Sequence, residues 1–268
     1  MDPLLKWVGG KKRMLPAIKQ YLPEKIEHYY EPFVGGGAAF FDFGWCCPKS
    51  SINDINKTLM HTYQAVQTDY KTVGKIIHSL VDVDYYELRE EFNKQPKLGL
   101  FRDAALMLAL NFLCFNGLYR ENKSGHFNTP IGTDNKGNPR SLKDYPYSHL
   151  LHASTALQKC AISAMDIGSW IYYNWPNLNQ GSLVFADPPY LDLFSNYDST
   201  GFTAKDHQYL RDSLLPLVRN GATVIICGAD NQPTIDIYGP PTFTQAVNRT
   251  VGASNRKRTT EAFWVFKP

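Results

Sequence analysis

The sequence predicts an α/β fold: a mixed sheet, mainly parallel, that ends in an antiparallel hairpin and carries an inserted, mostly helical subdomain. Three observations predict it. Short apolar runs of strand type, LVFA at 183–186 and ATVIICGA at 222–229, alternate with stretches of helical spacing. The strand-like run HYYEPFV at 28–34 leads into Gly35-Gly36-Gly37, and the next strand-like run ends near an acid, Asp54. The last segments, TFTQAVNRT at 242–250 and EAFWVFKP at 261–268, read as two paired strands.

The elements follow in order. After Gly9-Gly10, Met14, Leu15, Ile18 and Leu22 recur at helical spacing, which predicts a helix over 11–21. HYYEPFV is a strand, 38–43 a helix, and SSINDI at 50–55 a second strand. From 56 to about 95 the pattern is helical. It continues over 97–113, where AALMLALNFL is strongly apolar. Residues 116–145 hold Gly, Asn, Ser and Pro with little hydrophobic periodicity, which predicts a long loop or hairpin. A loop of that length inside a compact domain is usually functional or mobile. The predicted division is therefore 1–55 with 147–268, and an inserted subdomain at 56–146. The α/β pattern resumes with a helix over 149–159 and CAISAM, a strand ending at Asp166. LVFA is the next strand. A polar stretch at 195–203, an amphipathic helix at 205–219, ATVIICGA and the final hairpin complete the chain.

Composition narrows the function classes. At 268 residues with 43% hydrophobic content, the chain can bury a sizeable core. No apolar run approaches a membrane span, and MDPLLKWVGGKK lacks the apolar centre of a signal peptide, so a cytoplasmic protein is expected. The five cysteines form no CxxC pair, and burial is their expected role. His149 and His152 stand three apart without a third ligand nearby, so no metal is expected. Net charge is only +3, but basic residues cluster at Lys11-Lys12-Arg13 and Arg256-Lys257-Arg258. Such short clusters alone read as solvated loops or helix faces. Aromatic content is 13%, which suits base stacking or simply core.

Two constellations bear chemistry. LVFA runs into Asp187-Pro188-Pro189-Tyr190. The prolines cannot donate ladder hydrogen bonds, so the strand stops and Asp187 and Tyr190 fall at its carboxyl end, where open α/β sheets bind ligands. Read alone, this is either a strand stop with a buried aromatic or a site for a flat, hydrogen-bonding substrate. EPFVGGG at 31–37 allows close backbone approach to a nucleotide-like ligand, and Asp54, about twenty residues on, stands where an acid grips ribose hydroxyls. A plain tight turn is the alternative. NAD loses ground because Phe40 stands where the last glycine of G-x-G-x-x-G would be.

Taken together and in order, LKWVGGKK at 5–12, EPFVGGG, NDIN around Asp54, FNGLYR at 115–120, GHFNTPIG at 125–132, DPPY and the C-terminal NRKRTTEAFWVFKP are sharper than any one alone. The chain resembles the Dam-type (D12 class) N6-adenine DNA methyltransferases over nearly its whole length. DPPY is shared with other amino-methyltransferases, whereas its combination with LKWVGGK and NGLYR is specific. The resemblance implies a class I AdoMet-dependent methyltransferase fold, Rossmann-like, with a target-recognition subdomain whose DNA-reading hairpin lies at about 116–135. It implies S-adenosylmethionine as cofactor, double-stranded DNA as partner, and a monomer that uses no metal and no membrane. Matched motif by motif, Asp187, Pro188, Pro189 and Tyr190 are the catalytic residues. Trp7, Lys11, Phe33, Gly35, Asp54 and Asp166 are the cofactor residues, with Asp54 on the ribose and Asp166 on the cofactor's adenine amine. Lys6, Phe115, Asn116, Leu118, Arg120 and Pro130 are the DNA-contacting residues.

The implied reaction is methyl transfer to the N6 amine of an adenine flipped out of a short duplex site, expected to be GATC. Without the motif match, Arg120 reads as a phosphate contact or surface salt bridge, Phe115 as core, and Trp7 as a buried anchor. Two departures stand out: Thr133 and Asp134 follow GHFNTPIG where the family tends to carry a basic residue and an aromatic, and CGADN replaces the usual Ser-Asn pair. The rivals are N4-cytosine methylation, methylation of RNA or of a protein amide, and a catalytically degenerate DNA-binding module of the same fold.

Overall fold

The computed structural model describes residues 1–94, 99–191, 201–251 and 255–268, with 248–251 and 255–258 described by backbone alone. Among them, strands β1 (His28–Glu31), β2 (Lys49–Asn53), β3 (Cys160–Ser163), β4 (Ser182–Ala186), β5 (Thr223–Ala229), β6 (Phe243–Val251) and β7 (Asn255–Phe266) form one sheet in the order β3-β2-β1-β4-β5-β7-β6. Tyr29 pairs with Leu183 and Val184 with Val224 in parallel. Ile226 pairs with Trp264, and Phe243 with Phe263, antiparallel. This is the mixed sheet with an antiparallel end that a class I methyltransferase fold requires. The helices are α1 (Leu15–Lys19), α2 (Lys57–Ser79), α3 (Tyr85–Asn93), α4 (Leu100–Leu113), α5 (Ser148–Leu157), α6 (Ile167–Asn174), α7 (Ala204–Arg219) and α8 (Gln232–Tyr238). No described helix is long and apolar enough to cross a membrane.

The chain divides into two compact units, one of 1–12, 34–46 and 52–164, the other of 13–33, 47–51 and 165–268. In the second, all five residues of β4 and the first six of β5 are buried, as a strand covered on both faces must be. Val184, Ala186, Val224 and Ile226 pack with Leu210, Leu214 and Leu217 of α7, with Trp170 of α6, and with Trp264. Helix α7 starts at a capping box between Thr203 and Asp206. In the first unit, α4 is buried continuously from Ala104 to Asn111, so its apolar character on all sides reflects a helix enclosed by neighbours, α2 foremost. Asn56 caps α2, and Asp69 interrupts it with φ −154° and re-caps the following turn through the Lys71 and Thr72 amides.

The structure corrects several element boundaries. The helix expected over 11–21 shrinks to five residues, with Pro16 in its first turn. The helix expected over 38–43 is present, and at 40–44 it is of π type. The helical stretch from 56 breaks at 80–84, where Asp84 caps a new helix. CAISAM ends as a strand at Ser163, and Asp166 caps α6, which the sequence pattern did not reveal. Helix α8 was likewise unforeseen. The 116–145 loop is pinned by bridges at Cys114–Ile131, Glu121–Phe127 and Thr133–Pro139. Cys46 is exposed, against the expected burial of all five thiols. Residues 195–200 of the polar stretch, 95, and 97–98 lie outside the described residues, as do the side chains of Arg256-Lys257-Arg258.

Leu214 is fully buried between α7 and the sheet. Leu214→Ala should cost about 2–5 kcal/mol in urea unfolding, the range for emptying a packed leucine site. An unchanged midpoint would contradict the core assigned here.

Candidate active site

The 187–190 loop follows from the end of β4. Asp187 is half-buried, Pro188 is buried, and Pro189 and Tyr190 are half-buried. With no N–H at 188 or 189, the backbone of those two residues can be held only through its carbonyls. Three groups hold the loop. His207 of α7, fully buried, places Nε2 2.9 Å from the Pro189 carbonyl oxygen. Asn231 donates from Nδ2 to the Leu191 carbonyl at 2.6 Å while its Oδ1 caps α8 by accepting from the Thr234 amide. The Tyr190 hydroxyl donates to Oε2 of the buried Glu261 at 2.8 Å. Among the described residues no protein donor makes a hydrogen bond to the Pro188 carbonyl. Burial, and then the negative charge of Asp187, hold the Tyr190 phenol well above its usual range, so it stays a neutral donor.

Phe33 stands edge-on to Phe202, whose ring stands edge-on to His207. Asp166 is exposed and occupied as a helix cap: its carboxylate accepts from the Ser169 amide at 2.9 Å and from the Ser169 hydroxyl at 2.7 Å. Those bonds to Ser169 hold its pKa below the ordinary carboxylate value.

The other unit builds a cradle around Gly35. Its N–H donates to Asp54 Oδ2 at 3.1 Å, and its carbonyl accepts from the Tyr63 hydroxyl at 2.9 Å. Gly35 has φ +48°, and a Cβ there would lie 2.8 Å from Trp7 Cδ1. Trp7 stacks on Tyr119 with ring centroids 5.2 Å apart. Asp54 also accepts from the Asn56 amide at 2.9 Å. Burial raises its pKa, against the opposing pull of the Asn56 and Gly35 amides. Two accepted bonds leave the carboxylate further lone pairs. That spare acceptor capacity fits a ligand carrying vicinal hydroxyls, while the missing side chain at Gly35 makes room for the Trp7 ring. Lys11 is buried, and its ammonium donates to the Gly9 carbonyl at 2.7 Å, which closes the Gly9-Gly10 turn.

The FNGLYR segment belongs to the same unit. Asn116 adopts φ 55°, the left-handed conformation that Asn tolerates, in a tight turn over Phe115–Gly117. Buried Asn111 joins this turn to the N-terminal segment: Oδ1 accepts from the Lys6 amide at 3.0 Å, and Nδ2 donates to the Lys6 and Gly117 carbonyls. The Lys6 stem packs so closely on Gly117 that a Cβ there would overlap it. Burial, and then the like charge of Arg140, lower the Lys6 ammonium pKa. Phe115 is exposed, and its amide donates to the Pro130 carbonyl at 2.9 Å. Leu118 is half-buried, and its carbonyl accepts from the Thr129 hydroxyl. Arg120 is exposed, and its Nε donates to Asn128 Oδ1 at 2.7 Å across the hairpin. Helix α3 supports that hairpin through Tyr85, which donates to the Thr129 carbonyl, and Asn93, which pairs with both backbone groups of Phe127.

Within one unit the structure brings together Lys6, Phe115, Asn116 and Pro130, and separately Trp7, Gly35 and Asp54. In the other it gathers Asp187, Pro188, Pro189 and Tyr190. Sequence reasoning missed His207, Asn231, Glu261, Tyr63 and Asn111. Two of these carried a signal: Asn111 is the polar residue inside AALMLALNFL, and His207 shares the buried face of α7 with Leu210, Leu214 and Leu217.

The model of the D12 class N6 adenine-specific DNA methyltransferase family matches residues 7–247. The chain belongs to this family and is an enzyme of that kind. Among its relatives, the Type II methyltransferase M.MjaIII of Methanocaldococcus jannaschii is 33% identical, covering 89% of this chain and 87% of that one. The DNA adenine methylase of Escherichia coli strain K12 is 30% identical, covering 98% of this chain and 95% of its own. The Retron Ec67 DNA adenine methylase of Escherichia coli is 29% identical, over 89% of this chain and 81% of that one.

Gly35→Ala should destabilise the protein by about 1–3 kcal/mol, from left-handed backbone strain and displacement of Trp7. Urea titration checks this; an unaltered midpoint would show that the cradle tolerates a side chain.

Proposed function

We propose that the chain methylates the N6 amine of an adenine extruded from a short DNA duplex, at GATC, with S-adenosylmethionine as donor. Residues 56–146 serve as the target-recognition segment in this reading, and 1–55 with 147–268 as the catalytic part. The observation that carries it is the anchoring of the 187–190 loop: its neighbouring carbonyls at 189 and 191 are taken by His207 and Asn231, while the Pro188 carbonyl has no protein donor among the described residues.

An exocyclic adenine amine is a poor nucleophile because its lone pair is delocalised into the ring. In this reading the Asp187 carboxylate and the Pro188 carbonyl each accept one amine hydrogen, which draws the lone pair out of conjugation. The fixed φ of both prolines holds the acceptors in place before substrate arrives, so the contribution is preorganisation. The Tyr190 ring, tethered by its hydroxyl to Glu261, offers a face for the extruded base. Asp54 accepts from the donor's ribose hydroxyls, Trp7 and Phe33 contact the donor, Gly35 makes room for Trp7 beside it, Lys11 braces the Gly9-Gly10 turn, and Asp166 accepts from the donor's adenine amine. When bound, S-adenosylmethionine supplies an electrophilic methyl group on a sulfonium sulfur.

On the recognition side, Lys6 and Arg120 supply charge for base edges, Leu118 and Pro130 apolar contact, Asn116 a base-edge contact, and exposed Phe115 a wedge into the base stack. The partner is double-stranded DNA, and the working form is a monomer in the cytoplasm.

Asp187→Ala should reduce methyl transfer to adenine in a GATC duplex by about a hundredfold or more, the scale of losing a transition-state acceptor, with donor affinity largely kept. Labelled-donor assays with calorimetry check both. Full activity in the variant, or label found in cytosine, would overturn the reading. Arg120→Ala should relax discrimination at one base position by about 1–3 kcal/mol, read from kcat/KM on duplexes carrying single substitutions in the site. Equal loss on every sequence would instead make Arg120 a phosphate contact.

A further inference from the structure

We propose that His207 is a positioning residue for the transfer: its ring holds the Pro189 carbonyl inward and thereby leaves the Pro188 carbonyl as the acceptor offered to the substrate amine. The inference rests on reading the 187–190 loop as the amine-binding loop.

His207 shares the buried face of α7 with three leucines and has no exposed surface. An imidazole there must satisfy two polar nitrogens. Nε2 lies 2.9 Å from the Pro189 carbonyl oxygen, and Nδ1 lies 2.9 Å from the Tyr238 hydroxyl oxygen. A carbonyl only accepts, so Nε2 carries the hydrogen. The Tyr238 hydroxyl lies 2.9 Å from Nδ1 and 3.3 Å from the His207 carbonyl oxygen, and beside a neutral ring its one hydrogen goes to the nearer acceptor, Nδ1. Tyr238 keeps its proton, because burial raises the phenol well above its usual range. Its ring is braced against Trp264, with centroids 5.3 Å apart, and Phe202 stands edge-on to the imidazole at 4.9 Å. The tautomer and plane of His207 are therefore set by its surroundings.

The consequence reaches the catalytic loop through backbone geometry. Proline fixes φ near −65° at both 188 and 189. The remaining soft torsions there are the two ψ angles. Fixing the Pro189 carbonyl on His207 and the Leu191 carbonyl on Asn231 constrains the loop on its C-terminal side. β4 constrains it on the other side through Ala186, paired with Ile226. The direction of the Pro188 carbonyl is what those constraints leave. Without His207, the part-buried Pro189 carbonyl loses its donor, and the loop can turn to recover one. The Pro188 carbonyl turns with it.

The test combines His207→Leu, His207→Gln and Asp187→Ala with a tautomer measurement on the wild-type protein. The glutamine amide can reach roughly where Nε2 stands. His207→Leu should lower kcat by about ten- to a hundredfold, the scale of a small misplacement at a reacting group, with KM for duplex and donor within about threefold. His207→Gln should recover most of that loss. Nitrogen NMR of 15N-histidine-labelled protein should show His207 neutral with hydrogen on Nε2. Wild-type kcat in His207→Leu, failure of glutamine to recover any activity in a folded variant, or hydrogen on Nδ1 of the wild-type ring would each overturn the role of His207. If the leucine variant does not fold, the glutamine variant and the tautomer still decide. Asp187→Ala separates the two claims: should it retain activity, the reading of the loop itself falls, whereas its loss beside an unaffected His207→Leu removes only the positioning role.

Discussion

The structure turns on a strand that cannot continue. β4 is buried along its whole length and then meets two prolines, so ladder bonding ends abruptly inside a covered sheet. Backbone at such a point must be held by something other than its own amides. Here the holders are a histidine, an asparagine and a glutamate from α7, the start of α8 and β7. Each takes one group of the loop. A rigid display of acceptors follows from the shortage of donors.

That constraint explains why the loop's neighbours are polar though buried. A buried histidine, a buried glutamate and a capping asparagine would each cost stability in a plain core. Each is partnered to the loop, and Asn231 also starts α8, so one side chain both caps a helix and orients the loop beside it. The same economy recurs in the other unit, where Asn111 ties the Lys6 segment to the FNG turn and Asp54 with Tyr63 clamps both sides of the Gly35 peptide. In both units, polar side chains fix the shape of irregular backbone, and regular elements fix those side chains.

The strands were legible because apolar and β-branched runs are bounded by Gly, Pro and Asp, which is the local signature of a covered sheet. α6 and α8 were not, because both are short and their caps, Asp166 and Asn231, read equally well as a ligand-binding acid and a packing residue. The motif residues of the candidate site stood out through their order along the chain. Their supports did not, since those contacts are made across the fold: Pro189 meets His207 18 residues away, and Tyr190 meets Glu261 71 residues away. Periodicity reports which face of an element is buried, and it is silent on what a buried polar atom touches. The long loop at 116–145 was visible as a loop, while its attachment to α3 through Tyr85 and Asn93 depends on tertiary contact.

The central claim is that Asp187 and the Pro188 carbonyl jointly accept the two hydrogens of a substrate amine. A crystal structure of the protein with a GATC duplex and a non-transferable analogue of the methyl donor tests it most directly. The account predicts an adenine outside the helix with N6 about 2.6–3.2 Å from both acceptors, a hydrogen-bonding distance. An adenine left stacked in the duplex, or one whose N6 meets neither Asp187 nor the Pro188 carbonyl, would contradict it.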